Sequence, residues 1–73
     1  MNREELRNFF ADVRSCLNIS LGPWLDRNHI YRSEFSNFMK GQYNNIPDEK
    51  LKILQHDLMD NIKSFLKLYK KVA

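Results

Sequence analysis

Two histidines, one cysteine and several adjacent carboxylates are the side chains of this sequence that could ligate a metal, attack a carbonyl or move a proton. His29 and His56 stand far apart, and neither belongs to a Cys-x-x-Cys, His-x-x-x-His or His-Glu-x-x-His spacing, the arrangements that bring ligands to one point. His56 reads as a surface residue of a helix and His29 as a turn residue. Cys16 has no neighbouring cue for thiolate activation, and free cysteine is among the most buried residue types, so core packing is expected for it. Glu4 with Glu5 and Asp48 with Glu49 fall where helices begin, and compensation of the helix dipole accounts for both pairs. Gly22 and Gly41 are isolated, so the sequence offers no glycine-rich phosphate cradle. No catalytic constellation, metal or cofactor is expected, and the chain reads as a non-enzyme.

The elements that must position whatever chemistry is left are helices. The 73 residues are enough for one domain whose core must be compact. Apolar residues make up 42% of the chain, too many for a disordered segment. Twelve Lys and Arg against nine Asp and Glu give a formal charge of +3, a mild excess compatible with a nucleic acid or an acidic partner. No apolar stretch approaches the roughly 20 residues needed to span a bilayer. The single Cys16, with no secretory leader pattern, reads as a reducing cytoplasm.

Residues 2–17 place Leu6, Phe9, Phe10, Val13 and Leu17 at steps of three and four, which predicts an amphipathic helix capped by Asn2. Ser20 is a good cap for a short helix over 21–28, with Pro23 in its first turn and Trp24 and Leu25 as its buried pair. A third helix over 31–40 turns Phe35, Phe38 and Met39 inward and leaves Arg32, Ser33, Asn37 and Lys40 outward, and Gly41 ends it. Pro47, Asp48 and Glu49 start a further apolar stripe that runs from Leu51 through Leu54, Leu58, Ile62, Phe65, Leu66 and Tyr69 to Val72. Periodicity permits one long helix there, but Asp60 and Asn61 are plausible caps, and two helices meeting near residues 59–61 are expected. No segment alternates with the period of a strand.

The layout of Ile19 to Gly41, ISLGPWLDRNHIYRSEFSNFMKG, is that of a helix-turn-helix: capped helix, short polar turn, second helix with its small polar groups outward. Here the sequence resembles the DNA-binding domain of the phage Cro and CI repressors and many bacterial repressors, the XRE family. That family commonly shows Leu-Ser/Thr, three residues, then Leu-Ala; this chain has Ile19-Ser20, three residues, then Trp24-Leu25. Ile30 matches the apolar residue closing the turn, Phe35 the buried residue of the recognition helix, and Ser36, Phe38 and Gly41 its serine, aromatic and terminal glycine. IPDEKL, residues 46–51, resembles the start of the fourth helix, and Leu54, Leu58, Asn61, Ile62 and Phe65 fall where the family places the remaining core and the cap of helix five. The chain departs from the family at Leu25, where a small Ala is usual, at Asn28, where Leu is common, and at His29, where the turn usually has Gly.

The resemblance implies an all-α, compact five-helix lambda-repressor-like domain over residues 1–73, with the helix-turn-helix unit at about 20–41. It implies a sequence-specific regulator of double-stranded DNA. Arg32, Ser33 and Asn37 would project to base edges, with Tyr31 assisting at the helix start, since Arg can bond guanine and Asn adenine bidentately. Lys40, Gln42, Tyr43 and Asn44, with the start of helix two at Ser20 and Leu21, would hold phosphates. Glu34 opposes this, because a carboxylate in the recognition helix repels phosphates. The alternative is a protein-binding module or inhibitor that keeps the scaffold and docks on another protein. The apolar surplus at Phe65, Leu66, Tyr69 and Val72 suggests a homodimer through the last helix, while Lys63, Lys67, Lys70 and Lys71 form its solvated basic face.

Overall fold

A computed structural model of the protein describes the backbone of residues 1–72 and the side chains of residues 1–70. The side chains of Lys71, assigned above to the basic face, and Val72, assigned to the apolar stripe, lie outside the described residues. The described chain is all-helical, with α1 at Arg3–Leu17, α2 at Gly22–Arg27, α3 at Arg32–Met39 and α4 at Asp48–Val72.

Helix α1 starts where its cap chemistry allows. The Asn2 carboxamide accepts the Glu5 N–H at 2.8 Å and the Glu5 carboxylate accepts the Asn2 N–H at 3.1 Å, a reciprocal box that satisfies two orphan donors. Asn18 ends the helix in the left-handed region, at φ 51°, which Asn tolerates better than most residues. The turn between α2 and α3 uses the same region at His29, with φ 57°, the position where the XRE pattern has glycine. Gly41, at φ 71°, closes α3: its N–H reaches the Phe38 carbonyl at 3.0 Å and the Gln42 N–H reaches the Asn37 carbonyl at 2.8 Å, the paired bonds of a Schellman end.

Two expectations about the helices are corrected. The last segment is a single helix of 25 residues, about 37 Å long at 1.5 Å per residue, so the described chain has four helices where five were expected. Asn61 does not cap a new start; its side-chain amide donates back to the Asp57 carbonyl at 2.8 Å, and with no Gly or Pro after Pro47 nothing breaks the ladder. Cys16 is exposed, not buried, because the last turn of α1 overhangs the core, as Leu17 at 45% exposure also shows.

The core collects Leu6, Phe10 and Val13 of α1, Leu21, Leu25 and Ile30 around α2, Phe35 and Phe38 of α3, Ile46, and Leu51, Leu54 and Leu58 of α4. Phe10 is its hub, with ring centroids 5.4 Å from Phe35 and 6.2 Å from Phe38 in edge-on geometry. Trp24, expected to be buried together with Leu25, is only partly buried, and its indole Nε1 is enclosed without an acceptor. Helix α4 outruns the core: Ile62 is the last residue packed on it, and Phe65, Leu66, Leu68 and Tyr69 are half or more exposed.

Candidate nucleic-acid interface

Helix α3 is held from behind by α1. Arg7 lays its guanidinium over the Phe38 ring, 5.1 Å from the centroid, and its Nε donates to the Phe38 carbonyl at 2.7 Å. Arg3, one turn earlier, donates to the Ile46 carbonyl at 2.6 Å and to the Asp48 carboxylate at 2.7 Å. The two arginines thereby fasten the end of α3 and the loop after it. Their spacing of four along α1 puts both on one side of the helix, and the sequence alone marks them only as polar residues off its apolar stripe.

Helix α2 is fastened to α4. Arg27 makes a forked pair with Asp57, Nη2 to Oδ1 at 2.7 Å and Nε to Oδ2 at 3.0 Å. Asn28 donates to the same carboxylate at 3.0 Å and to the Trp24 carbonyl at 2.8 Å. Asn28 therefore ties α2 to α4 through polar contacts. Burial pushes the Asp57 carboxyl up, but the hydrogen bonds from Arg27 and Asn28 and the Arg27 charge outweigh it and leave it below the ordinary aspartate value. A carboxyl lowered in the folded state adds stability above its unfolded pKa of about 3.9, and that stability is lost as pH falls through the folded value. Asp57→Asn is accordingly expected to unfold at lower urea than wild type at neutral pH. The difference should close in acid; a gap that is the same at pH 7 and at about pH 2 would contradict the latch.

With these two fastenings in place, the outer side of α3 is left bare. Arg32, Ser33, Ser36 and Lys40 are exposed and Asn37 is half-buried. A cleft of about 510 Å³ runs between the end of α1, the start of α2 and α3, and brings together three of the expected residues, Ser20, Arg32 and Lys40. It also contains Ser36, matched above to the family's serine but not assigned to DNA, and Arg14, which the sequence alone did not single out. Arg14 sits one turn before the end of α1, and only the folded proximity of α1 to α3 reveals it.

Several expected residues have other employment. The Ser20 hydroxyl accepts the Gly22 N–H at 3.2 Å, so that donor is already satisfied. Asn44 holds the loop before α4, accepting the Ile46 N–H at 3.1 Å and donating to the Gln42 carbonyl at 3.1 Å. Tyr43 is 83% exposed and its hydroxyl donates to Asn45 at 2.8 Å. Gln42 and Tyr43 do not line the cleft, and neither does Tyr31, which borders a separate hollow with His29, Ile30 and Lys50. Tyr31 caps α3 from an extended backbone, with its carbonyl accepting the Phe35 N–H at 3.0 Å.

The electrostatics are modest. Arg32 donates to the Asp26 carboxylate at 2.9 Å, a hydrogen bond and charge that raise its pKa further, and it lies across Gly22, where a Cβ would come within 2.9 Å of its Nη2. Glu34 turns away from the cleft and accepts the Asn45 N–H at 2.7 Å, so its charge serves the loop. Among the described residues, Arg14 and Lys40 are the cleft cations with no carboxylate within ion-pair distance. No three His, Cys, Asp or Glu side chains among the described residues come together to hold a metal, and no described helix is long and apolar enough to cross a membrane. No family model, curated protein or solved structure matches the chain.

Proposed function

We propose that the chain is a DNA-binding protein in which α2, the four-residue turn and α3 act as a helix-turn-helix unit of the lambda-repressor-like kind, with α3 entering the major groove. The observation that carries this reading is the outer side of α3: a helix anchored through Phe35 and Phe38 leaves Arg32, Ser33, Ser36 and Lys40 exposed and Asn37 half-buried beside them, with only α2, through Asp26 and Gly22, touching Arg32. A helix so exposed fits the roughly 12 Å width of the major groove, and its side chains are of the types that read base edges. Arg14 and Lys40 border the same cleft, and on this reading they would meet the phosphate backbone. Phosphate holding is assigned to them, not to the start of α2, whose six residues and occupied Gly22 N–H offer little to an anion.

A helix-turn-helix protein of weak basicity should bind with a small salt slope. Gel-shift titration against a mixed pool of duplexes, at two salt concentrations, tests the reading. Binding tighter than about 10⁻⁴ M at physiological salt, weakening as salt rises, is the expected result. No binding at that level would leave the scaffold without a DNA role and favour a protein partner on the same face.

A further inference from the structure

Charge is unevenly distributed along the chain. Residues 1–62 hold eight of the twelve Lys and Arg and all nine Asp and Glu, so the formal +3 comes entirely from Lys63, Lys67, Lys70 and Lys71 at the end of α4. That end is also where the core stops, and Phe65 is 62% exposed there. Where α4 leaves the other helices, Leu17, Ile19, Trp24, Ile62, Phe65 and Leu66 line a groove of about 390 Å³. Its wall opposite α4 belongs to residues 16–24, a run without a charged side chain. Lys63 and Lys70 lie about 60° and 40° round the helix from Leu66, so the rim on the α4 side is basic. Among the described residues, neither they nor Lys67 has a carboxylate within ion-pair distance.

We propose that this groove receives an amphipathic helix of another protein, with its apolar stripe seated between Trp24 and Phe65 and a row of Asp or Glu on one flank facing Lys63, Lys67 and Lys70. The argument is complementarity of two kinds at one place. An apolar stripe fills the uncharged groove, and an acidic flank neutralises the one rim where the chain keeps its surplus charge. Other occupants match only half of the surface. A DNA backbone meets the lysines but brings nothing apolar to the groove. A flat bilayer does not enter a corner between α4 and the end of α1. A second copy of the chain brings the same uncharged wall and the same lysines, so neither basic row would find an acid. A helix about 10 Å across lies in such a corner and can carry both features. The groove shares no residue with the outer side of α3, so the proposal does not rest on DNA binding, and its test contains no DNA.

Trp24 is the chain's single tryptophan and lines the groove, so its emission reports on the groove without a label. The probes are two synthetic peptides of about 20 residues, long enough to hold a helix, with Leu at three-four spacing and no Trp. One carries Glu along a flank of the stripe and the other carries Lys at the same positions. The acidic peptide should shift Trp24 emission to the blue and saturate below about 100 μM, and its binding should weaken as salt rises. The basic peptide should not bind in that range. The triple variant Lys63→Gln, Lys67→Gln, Lys70→Gln should bind the acidic peptide roughly tenfold more weakly and with a flatter salt dependence. Phe65→Ala, which also alters an exposed side chain, should weaken binding with its helical circular dichroism unchanged. An acidic peptide that leaves the emission unchanged overturns the proposal. So do equal binding of the two peptides and a triple variant that binds like wild type. Sedimentation that shows free wild type to be a dimer with Trp24 emission already shifted gives the groove to a second copy. Phosphatidylglycerol vesicles that shift the emission where the acidic peptide does not give it to lipid. Either result overturns the proposal as well.

Discussion

Phe38→Ala is expected to cost about 3–5 kcal/mol, the range for removing an aromatic ring from a packed core. Phe38 is fully buried, touches Phe10 and Phe35 edge-on or tilted, and carries the guanidinium of Arg7 on its face. Truncation leaves a cavity between α1 and α3 and removes the ring under the Arg7 guanidinium, so that only its hydrogen bond to the Phe38 carbonyl still holds the end of α3. Against a total stability of about 5–15 kcal/mol, such a loss brings a domain of this size close to unfolding. Urea denaturation followed by helical circular dichroism measures it. A midpoint unchanged from wild type would mean that the aromatic cluster is not the centre of the core. The same substitution at Trp24 should cost less, because its ring is partly exposed and its removal also relieves an enclosed N–H that has no acceptor.

That contrast shows where sequence periodicity stops. Three-four spacing identified which side of α1 and α4 is apolar, and cap chemistry fixed Asn2 and Gly41, because these depend on residues within one turn of each other. Periodicity does not say where the neighbouring helices end. Leu17, Cys16, Phe65 and Tyr69 sit on or beside apolar stripes that outrun the elements meant to cover them, and Trp24 lies at the margin for the same reason. The helix break expected at Asp60 and Asn61 failed because a side chain able to cap can equally bond back to a carbonyl four residues earlier, as Asn61 does. In the candidate site, the outward side of α3 was legible from the inward turn of Phe35 and Phe38. The partners of its charges were not: Arg32 with Asp26, Arg27 with Asp57 and Glu34 with Asn45 join residues whose proximity is made by the fold.

The Arg32–Asp26 pair turns the DNA reading into a prediction with two signs. Both side chains are about two-thirds exposed, so the pair is screened by water and salt and a guanine edge can displace it. Arg32→Ala is expected to weaken binding to the preferred sequence roughly ten- to a hundredfold and to relax the preference at one base pair, the loss of a bidentate contact. Asp26→Asn should act in the opposite direction, strengthening binding, because it releases the Arg32 fork and removes a charge that repels phosphate. Lys40→Ala should weaken all sequences alike and reduce the salt slope by about one unit, the signature of a lost phosphate contact. Glu34→Gln should change little, since a glutamine can still accept the Asn45 N–H and the carboxylate it replaces faces the loop. Quantitative gel shifts on one preferred and one scrambled duplex separate these outcomes. If Asp26→Asn weakens binding as much as Arg32→Ala does, the pair is a structural brace between α2 and α3, and Arg32 is not the reader of bases. If Arg32→Ala and Lys40→Ala both lower affinity without altering sequence preference, α3 meets only the backbone and the bare helix side is a non-specific surface.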